Sequence, residues 1–585
     1  MPESEGRKAF LRKQFFRLLP VQILLIAIGC LNSVIDGAVA SSHLGADAMA
    51  VIGLYSPLAK LVDASIAVFL GGTQILCGRF LGKNEVENTQ QAFSLDIVVT
   101  SCFSGLLMVL CLAAPGAVAG ALGGSGEIRN DLSMYLLGMS FGIPCQMIGS
   151  QLSAFLQLER QEKRTYTGIA VMVVLNVGLD LLLVPALGFL GLGLATSASN
   201  LAFCAIQIYF FLTDKATIRF RFRSARLKHL KEILHLGLPG ALVQGCLMVR
   251  GLVLNQILLN FCAPYGLPAF SAVNAFGCLY CAVYLGMGSA TRLLSSVYIG
   301  EEDRASLADT LKTALTWGLL LVTAEAAVTF ALAVPFASLF FTPADGAWEP
   351  AVLFFRVFPL SVPLSAVFIV FNNYYQSLGR MKIVNVLSVM DGAAGMCLFS
   401  ILLAPSMGST GVWAAQVLNG VATLLLIPVC AWVTLKRMPR NLEDMMLLPE
   451  GFGVPDGDRM DIAVGSEAEA LQFSDRVIAF CLDHGIEKKR AYAAGLCLEE
   501  MAVNVIRHGF RGGKNENVIV RVVYKGGELM IRLKDSCPPF NPKERAELFD
   551  PEDKAHNIGI RMASRLSRKM EYQFILGLNV LTLTL

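Results

Sequence analysis

Two carboxyl groups and one amide lie inside long apolar segments of this chain. Asp36 follows an apolar run that begins near residue 18, and Asn176 and Asp180 lie four residues apart in another run, on one face of a predicted helix. Ionisable groups are costly at membrane depth and therefore indicate function. Two carboxylates and an amide oxygen can hold Na⁺, and a buried carboxyl can instead carry H⁺. The simpler alternative is that each Asp hydrogen-bonds to a neighbouring helix.

A second group of polar residues lies near the C-terminus. Glu500, Asn504 and His508 recur every four residues in an amphipathic segment, so they share one helix face. An amide beside a carboxylate suits Mg²⁺ and phosphate oxygens. Asp535 ends a predicted strand, and Gly559 lies at the start of a later helix, where phosphate can approach the backbone. This pattern predicts a nucleotide site, and its alternative is an ordinary solvated helix face.

A change in charge density separates the two groups. Residues 456–585 hold 38 of the 93 Asp, Glu, Lys and Arg residues. The preceding chain contains apolar runs of about 20 residues, the length that crosses about 30 Å of hydrocarbon. We predict a membrane domain over residues 1–440, a linker over 441–458 and a polar domain over 459–585. Hydropathy predicts twelve membrane helices, at 15–41, 49–79, 92–121, 131–157, 166–187, 190–213, 233–260, 266–299, 310–341, 350–376, 383–404 and 409–435.

The loops between these helices predict the topology. Loops on one side hold twenty-four Lys and Arg residues, and loops on the other side hold only Arg129. Cytoplasmic loops are enriched in Lys and Arg. We therefore expect a multi-pass plasma-membrane protein with both termini in the cytoplasm. The net charge is only +3 and the basic residues follow the membrane pattern, so nothing suggests nucleic-acid binding.

An internal repeat relates the two halves of the membrane domain. Pro185 matches Pro405 at an offset of 220 residues, and after a short shift the loop 82–85 matches the loop 300–303. The period covers six helices, an even number, so the halves have the same orientation. This six-plus-six plan is typical of transporters with two lobes that rock about a midplane cavity. The lobes would span about 10–213 and 233–435.

The repeat also bears on the membrane acids. Their counterparts in the second half carry no carboxyl group, so the shared fold does not require the acids, and we expect the ion site in one lobe. The counterparts of Asp36, Asn176 and Asp180 are Asn255, Met396 and Ser400.

The C-terminal segment has the periodicity of a small α/β sandwich. Amphipathic helices alternate with short strands, and the hairpins predict a mostly antiparallel sheet. The predicted elements are a strand at 459–465, helices at 467–484 and 487–508, a hairpin at 517–536 that turns at 525–527, a helix at 557–569 and a hairpin at 571–585.

Two stretches carry a resemblance to a transporter family. Residues 32–57 (NSVIDGAVASSHLGADAMAVIGLYSP) and 176–200 (NVGLDLLLVPALGFLGLGLATSASN) resemble the first, fifth and sixth helices of multidrug and toxic compound extrusion (MATE) transporters. The resemblance covers roughly residues 10–435. It implies that Asp36, Asn176 and Asp180 take a coupling cation, H⁺ or Na⁺, while drug-like organic cations are exported. The chain departs from many relatives at 181–182, where Leu-Leu replaces a Pro after the Asp.

The C-terminal segment, over roughly 459–585, resembles the GHKL (Bergerat) ATP-binding fold, and most closely anti-sigma-factor serine kinases. The resemblance implies ATP and Mg²⁺ as cofactors. Asn504 would bind Mg²⁺, Glu500 would act as general base, Asp535 would accept from the adenine amino group, and Gly559 would lie by the phosphates. His508 would border the nucleotide, and residues 543–556 would form a mobile lid. Cys537 and Asn557 replace residues that are often Gly in such domains.

We therefore expect a cation-coupled antiporter in the lipid bilayer that exports organic cations and carries an ATP-binding regulatory or serine-kinase-like domain. An anti-sigma-antagonist-like protein is a possible partner of that domain. The first alternative is a membrane sensor that controls a serine kinase through a transporter-like domain. The second alternative is a flippase of lipid-linked oligosaccharides, because such flippases share the fold. A scaffold with two inactive sites is the third.

Overall fold

A computed structural model describes residues 2–44, 47–159, 161–213, 218–262, 265–510, 518–542, 544 and 558–585. Up to residue 445 these residues form helices. The helices are α1 (Pro2–Leu44), α2 (Asp47–Gly82), α3 (Val86–Ala113), α4 (Pro115–Ala121), α5 (Gly126–Ser140), α6 (Gly142–Leu158), α7 (Glu162–Leu187), α8 (Phe189–Phe211), α9 (Leu230–Phe261), α10 (Gly266–Gly300), α11 (Arg304–Thr313), α12 (Leu319–Ala331), α13 (Ala333–Ala337), α14 (Trp348–Leu378), α15 (Met381–Val389), α16 (Gly395–Met407), α17 (Ser409–Leu435) and α18 (Leu442–Met445).

Within the described ranges, nine helical spans are long and apolar enough to cross a membrane, and a tenth is obtained if the bent pair α5–α6 is one span. The chain is therefore a multi-pass membrane protein. The count of twelve stays a prediction.

Four predicted helices are interrupted. The helix expected at 92–121 breaks at Ala114, between α3 and α4. The helix expected at 131–157 is bent by 43° between α5 and α6. Pro144 explains the break, because its nitrogen cannot donate to the carbonyl of Ser140. The helices expected at 310–341 and 383–404 contain π-helical turns at Ala314–Gly318 and Met390–Ala394, which a hydropathy window cannot detect.

The backbone repeats between the halves as the sequence does. Gly188 joins α7 to α8 with a φ of 59°, and Gly408, 220 residues later, joins α16 to α17 with a φ of 58°. In the loops 82–85 and 300–303, Asn84 and Glu302 have φ angles of 65° and 53°. Equivalent unusual conformations at equivalent positions support two lobes of the same plan.

The lobes share a core at one end only. Near the loops 82–85 and 300–303, which define the basic end, one cluster joins Phe15 and Leu76 of the first half to Tyr298 and Tyr374 of the second. Towards the other end, two clusters each consist, as far as the described residues go, of side chains from one half. Within the described residues, the lobes are therefore packed together at the basic end, and each has a core of its own beyond it.

Close backbone contacts join the lobes at the basic end. A Cβ added to Gly237 of α9 would lie 1.9 Å from the carbonyl oxygen of Val68 in α2, and one added to Gly82 would lie 2.1 Å from that of Val297 in α10. Only glycine allows this approach. Arg292 of α10 donates to Gln74 of α2 over 3.1 Å, a polar link between the same helices.

The C-terminal domain contains one five-stranded antiparallel sheet in the order β1-β2-β3-β5-β4. Three helices pack on one face. The elements are β1 (Arg459–Val464), α19 (Glu467–Asp483), α20 (Lys488–Gly509), β2 (Val518–Lys525), β3 (Glu528–Asp535), α21 (Ile558–Leu566), β4 (Lys569–Ile575) and β5 (Leu578–Thr584).

Strand alternation gives the sheet two different faces. Val520, Ile531 and Leu583 are fully buried beneath the helices. Arg521 and Arg532, next to them in sequence, point to the opposite face. The predicted hairpin turn is confirmed, because Gly526 and Gly527 both have positive φ.

The lobe contact at Gly237 yields a first prediction. Gly237→Ala should lower thermal stability, by about 1–3 kcal/mol for an overpacked contact, because the new methyl meets a backbone carbonyl that cannot move alone. Gly245→Ala on the same helix is the matched control, since no described atom lies within 4 Å of its added Cβ. Thermal unfolding in detergent compares them, and equal melting temperatures would contradict the close packing.

Candidate functional site

The predicted membrane residues meet in the first lobe. Asp36 lies on α1, Asn176 and Asp180 lie on α7, and Asp36 interacts with both. Asn176 and Asp180 are fully buried. Thr196 of α8 donates to Oδ2 of Asp36 over 3.3 Å. The structure thus brings all three predicted residues together, and Thr196 is a fourth that the sequence reasoning missed, although it lies in the stretch 176–200.

The polar atoms of this cluster have few partners. Asp36 lies close to Asn176 and Asp180, but within the described part of the chain Oδ1 of Asp36, both carboxylate oxygens of Asp180 and both polar atoms of Asn176 make no hydrogen bond of normal geometry. Buried polar groups are normally hydrogen-bonded. Two carboxyl groups this close in an apolar setting cannot both stay ionised without a cation between them or a proton on one. The cluster is therefore suited to hold Na⁺ or H⁺.

Two tyrosines stand beside the acids. The rings of Tyr55 and Tyr135 pack edge to face with centroids 5.1 Å apart. Tyr135 lies close enough to Asp36 and Asp180 to interact electrostatically with both. Both rings are buried, and a low-dielectric setting strengthens charge interactions. In the second lobe, Met396 and Ser400 occupy the places equivalent to Asn176 and Asp180. Both are buried and carry no charge.

The candidate nucleotide site is built around α20. A Cβ added to Gly559, at the start of α21, would lie 2.0 Å from Oε2 of Glu500. One added to Gly509, at the end of α20, would lie 2.7 Å from Sγ of Cys537. Gly559 and the segment after β3 therefore both lie against α20, the helix that carries Glu500. A cysteine fits at position 537, where such domains often have Gly, because Gly509 leaves room for its sulfur.

Asn504 lies one helical turn after Glu500 and is partly exposed, and His508 is exposed on the last turn. Residues 511–517, the predicted lid except for residue 544, and Asn557 lie outside the described residues. No cluster of three or more His, Cys, Asp or Glu side chains suited to a metal occurs among the described residues. A Mg²⁺ ion at this site would therefore depend on the Asn504 amide and on phosphate oxygens.

Asp535 is held by a network that the sequence did not reveal. Its Oδ1 accepts from the Cys537 amide over 2.9 Å and from Nδ2 of Asn579 over 2.7 Å. The Tyr572 hydroxyl in turn donates to Oδ1 of Asn579 over 2.7 Å. Burial raises the pKa of Asp535, and these hydrogen bonds only partly oppose the effect. The only sequence signal was that Tyr572 and Asn579 are polar residues in an apolar closing hairpin.

A fixed, buried carboxylate at a strand end, a glycine at a helix start and an amide on the facing helix fit an adenine nucleotide. The carboxylate suits the donating edge of a base, and the α21 N-terminus suits phosphate.

The comparisons with known proteins agree with this architecture. The MatE family model matches residues 24–182 and 239–405, more than half of the chain. The chain belongs to the MatE family. A second model, described as a histidine kinase-like ATPase domain, matches residues 466–585. This MATE protein therefore carries an ATPase-like domain after its transporter domain.

Curated proteins similar to this chain include a multidrug export protein and a probable multidrug resistance protein. The chain is 24% identical over 425 residues to multidrug export protein MepA of Staphylococcus aureus (strain MSSA476), which covers 70% of this chain and 91% of MepA. It is 23% identical over 340 residues to the probable multidrug resistance protein NorM of Photorhabdus laumondii, which covers 56% of this chain and 72% of NorM.

Solved structures share the fold. A crystal structure of MATE in complex with MaL6 aligns with 73% of this chain and 96% of its own, at a TM-score of 0.67 and 19% identity. An outward-facing conformation of a multidrug resistance MATE family transporter of the MOP superfamily aligns with 71% of this chain and 94% of its own, also at a TM-score of 0.67 and 19% identity.

The raised pKa of Asp535 yields a second prediction. A carboxyl whose pKa is raised on folding stabilises the folded state below its unfolded pKa of about 3.9, and this contribution is lost as the pH rises through the folded pKa. Asp535→Asn removes the ionisation and keeps the acceptor. It should therefore raise the melting temperature of the C-terminal transition at pH 7.5, with a smaller gain at pH 5.

Asp535→Ala is the control for the network. It removes the acceptor of the Cys537 amide and one of the acceptors of the Asn579 side chain, and should destabilise the domain at both pH values. Scanning calorimetry of the full chain compares the variants, and a loss of stability in Asp535→Asn as large as that in Asp535→Ala would contradict the assignment.

Proposed function

We propose that this MATE protein exports drug-like organic cations in exchange for H⁺ or Na⁺, and that its C-terminal domain binds ATP in the cytoplasm to regulate export. The observation that carries the first part is the cluster of Asp36, Asn176 and Asp180, whose buried oxygens have almost no partners among the described residues. The relatives' names, multidrug export protein and probable multidrug resistance protein, support the substrate class.

Coupling follows from the charge of this cluster. A bound monovalent cation offsets one of the two carboxylate charges on α1 and α7 and holds the helices together. When it leaves, the carboxyl groups repel one another and need water or a new positive charge. An organic cation in the cavity between the lobes offers such a charge. Cation entry and cation release therefore favour different arrangements of α1, which is the requirement for exchange.

The packing of the lobes indicates to which side of the membrane the cavity opens. Within the described residues they are packed together at the basic end, and each has a core of its own at the other. The positive-inside rule assigns the basic end to the cytoplasm. The arrangement is then open to the outside.

The C-terminal domain would bind ATP through its own residues. Asp535 would accept from the adenine amino group, the backbone at Gly559 would face the phosphates, and Asn504 would hold Mg²⁺. Glu500, in contact with the Gly559 position, would orient an attacking hydroxyl if the domain transfers phosphate. When bound, Mg²⁺ neutralises phosphate charge. The ion site supplies a separate energy source for export, so we assign ATP a regulatory role.

Transport by variants tests the ion site. In vesicles with an imposed H⁺ or Na⁺ gradient, Asp36→Asn and Asp180→Asn should each reduce export of a fluorescent organic cation by at least about tenfold, because each removes a charge worth 1.4 kcal/mol or more. Asp63→Asn is the matched control, since Asp63 is partly exposed and pairs with Lys60 at 3.2 Å.

Gradient-driven export that survives in both variants would reject the ion site. An absence of flux in the wild type, with the protein folded, would favour the sensor or the flippase.

Nucleotide binding tests the second half of the proposal. Asp535→Asn should weaken binding of a fluorescent ATP analogue to the full chain by about 10–100-fold, the range for a hydrogen bond to a charged group. Asn504→Ala should remove the dependence on Mg²⁺. Asp475→Asn, on the exposed face of α19, should bind as the wild type does. Equal affinities in all four proteins would exclude this site.

A further inference from the structure

The outer face of the C-terminal sheet contacts the transporter domain through an unusual concentration of charge. The loop 300–303 presents three consecutive acids, and four basic side chains of β2 and β3 meet them. The pairs are Arg521–Asp303 at 2.6 Å, Lys534–Glu301 at 2.5 Å, Arg532–Glu301 at 3.7 Å and Lys525–Glu302 at 2.5 Å. All but the last pair are buried.

Asp303 has several partners, whereas Nη1 and Nη2 of Arg521 make no hydrogen bond within the described residues. Asp303 also accepts from the amide and hydroxyl of Ser306, as the N-cap of α11. Burial opposes its ionisation, but the charges of Arg521 and Lys534 outweigh burial and hold the pKa of Asp303 well below its usual range. Lys534 also lies over the ring of Tyr298, 5.3 Å from its centroid. Removing one partner would leave a buried charge uncompensated, which is strongly unfavourable.

The same sheet contacts the first lobe. Arg532 donates to the carbonyl of Gly82 over 3.4 Å, and Gln573 donates to Asn84. The Leu576 amide donates to the carbonyl of Leu158 over 3.0 Å, and Arg17 donates to the Leu576 carbonyl. Leu576 is buried in the core that the two lobes share.

The conformation of Leu576 indicates that this contact is specific. Leu576 and Gly577 form the β4–β5 turn, and both have positive φ, at 53° and 72°. A two-residue turn of this kind favours Asn-Gly, and a leucine in the left-handed region costs roughly 1–2 kcal/mol. The domain's own fold gives no reason for this leucine. Its burial against the transporter domain does.

The contacted loops 82–85 and 300–303 are equivalents in the repeat, one from each lobe. We propose that the outer face of the sheet is a latch that binds both lobes at once and holds their basic ends together. This inference rests on the proposed function in one respect, the assignment of the basic end to the cytoplasm. Opening the cavity to that side moves the two loops apart, so the latch must release at least one of them.

The latch and the candidate nucleotide site share strands. Lys534 and Asp535 are consecutive in β3, so their side chains point to opposite faces, one to Glu301 and one to the nucleotide site. Asn579, which holds Asp535, follows the Leu576 turn by three residues on β5. Movement of Asp535 on nucleotide binding is therefore transmitted directly to latch residues, and nucleotide occupancy shifts the balance between latched and released lobes.

The latch is tested by the distance between the lobes. This distance is measured in the full chain with spectroscopic labels. The labels are introduced as unnatural amino acids at Lys163 and Lys382, which are exposed on the basic side of the two lobes. Lys534→Glu should add a population with a longer distance. The charge swap Glu301→Lys with Lys534→Glu should restore only part of the wild-type distribution, because the new lysine re-forms the pair with position 534 but also lies beside Arg532. Arg568→Glu, exposed and paired with Glu528 of its own domain, should change nothing.

Leu576→Gly provides an independent variant. It removes the backbone strain at the turn and leaves every ion pair in place, so the variant is expected to fold. Because it also removes the buried side chain, it should release the first lobe. An unchanged distribution in both Lys534→Glu and Leu576→Gly would overturn the latch, as would a longer distance in Arg568→Glu of equal size.

Nucleotide binding tests the coupling through reciprocity. If ATP shifts the lobe equilibrium, releasing the latch must change ATP affinity by the same coupling. Leu576→Gly should therefore change the Kd for ATP by roughly fivefold or more, the lower part of the usual range. An unchanged Kd with released lobes would overturn the coupling. The wild type itself separates the two proposals. If it shows no export or no ATP binding, but the distance between the lobes still responds to Lys534→Glu, the proposed function is rejected and the latch is retained.

Discussion

A carboxylate removed from water loses several kcal/mol of hydration, and only a cation, a proton or a full set of hydrogen bonds replaces it. Among the buried and half-buried carboxylates of the described residues, this constraint bears on function at three places. Asp303 meets it with Arg521 and with the cap of α11, and Asp535 meets it with Asn579 and a backbone amide. Asp36 and Asp180 meet it only in small part. In this incompletely satisfied pair, an exchangeable cation can supply the missing compensation.

The other parts of the structure are arranged around these charges. Glycines let α2 approach α9 and α10 closely, which packs the lobes at the basic end and leaves the acids in the part of the first lobe that has a core of its own. The C-terminal sheet carries its helices on one face and docks with the other. A two-layer domain thus uses both faces, one for a candidate nucleotide site and one for the transporter, and strand alternation puts the two functions on neighbouring residues.

Much of the fold could be predicted, because the signals are local. Every predicted element of the C-terminal domain corresponds to an observed helix or strand, with ends within a few residues, since strand alternation and helical periodicity are properties of short segments. Interruptions of the membrane helices were missed, because a π-helical turn such as Ala314–Gly318 leaves no trace in hydropathy. The break after Ser140 had a local signal in Pro144, but the apolar run concealed it.

The sequence by itself determined the residue types and spacings: an Asn and an Asp four residues apart in an apolar helix, a polar triad on α20, and a repeat whose second copy lacks the acids. These are set by helix and strand periods, which need no long-range information. Tertiary structure alone decided which distant groups meet, such as Thr196 with Asp36, Asn579 with Asp535, and Glu301 with Lys534. Such contacts depend on how whole elements pack, and a solvent-exposed strand face and a docked one have the same alternating pattern.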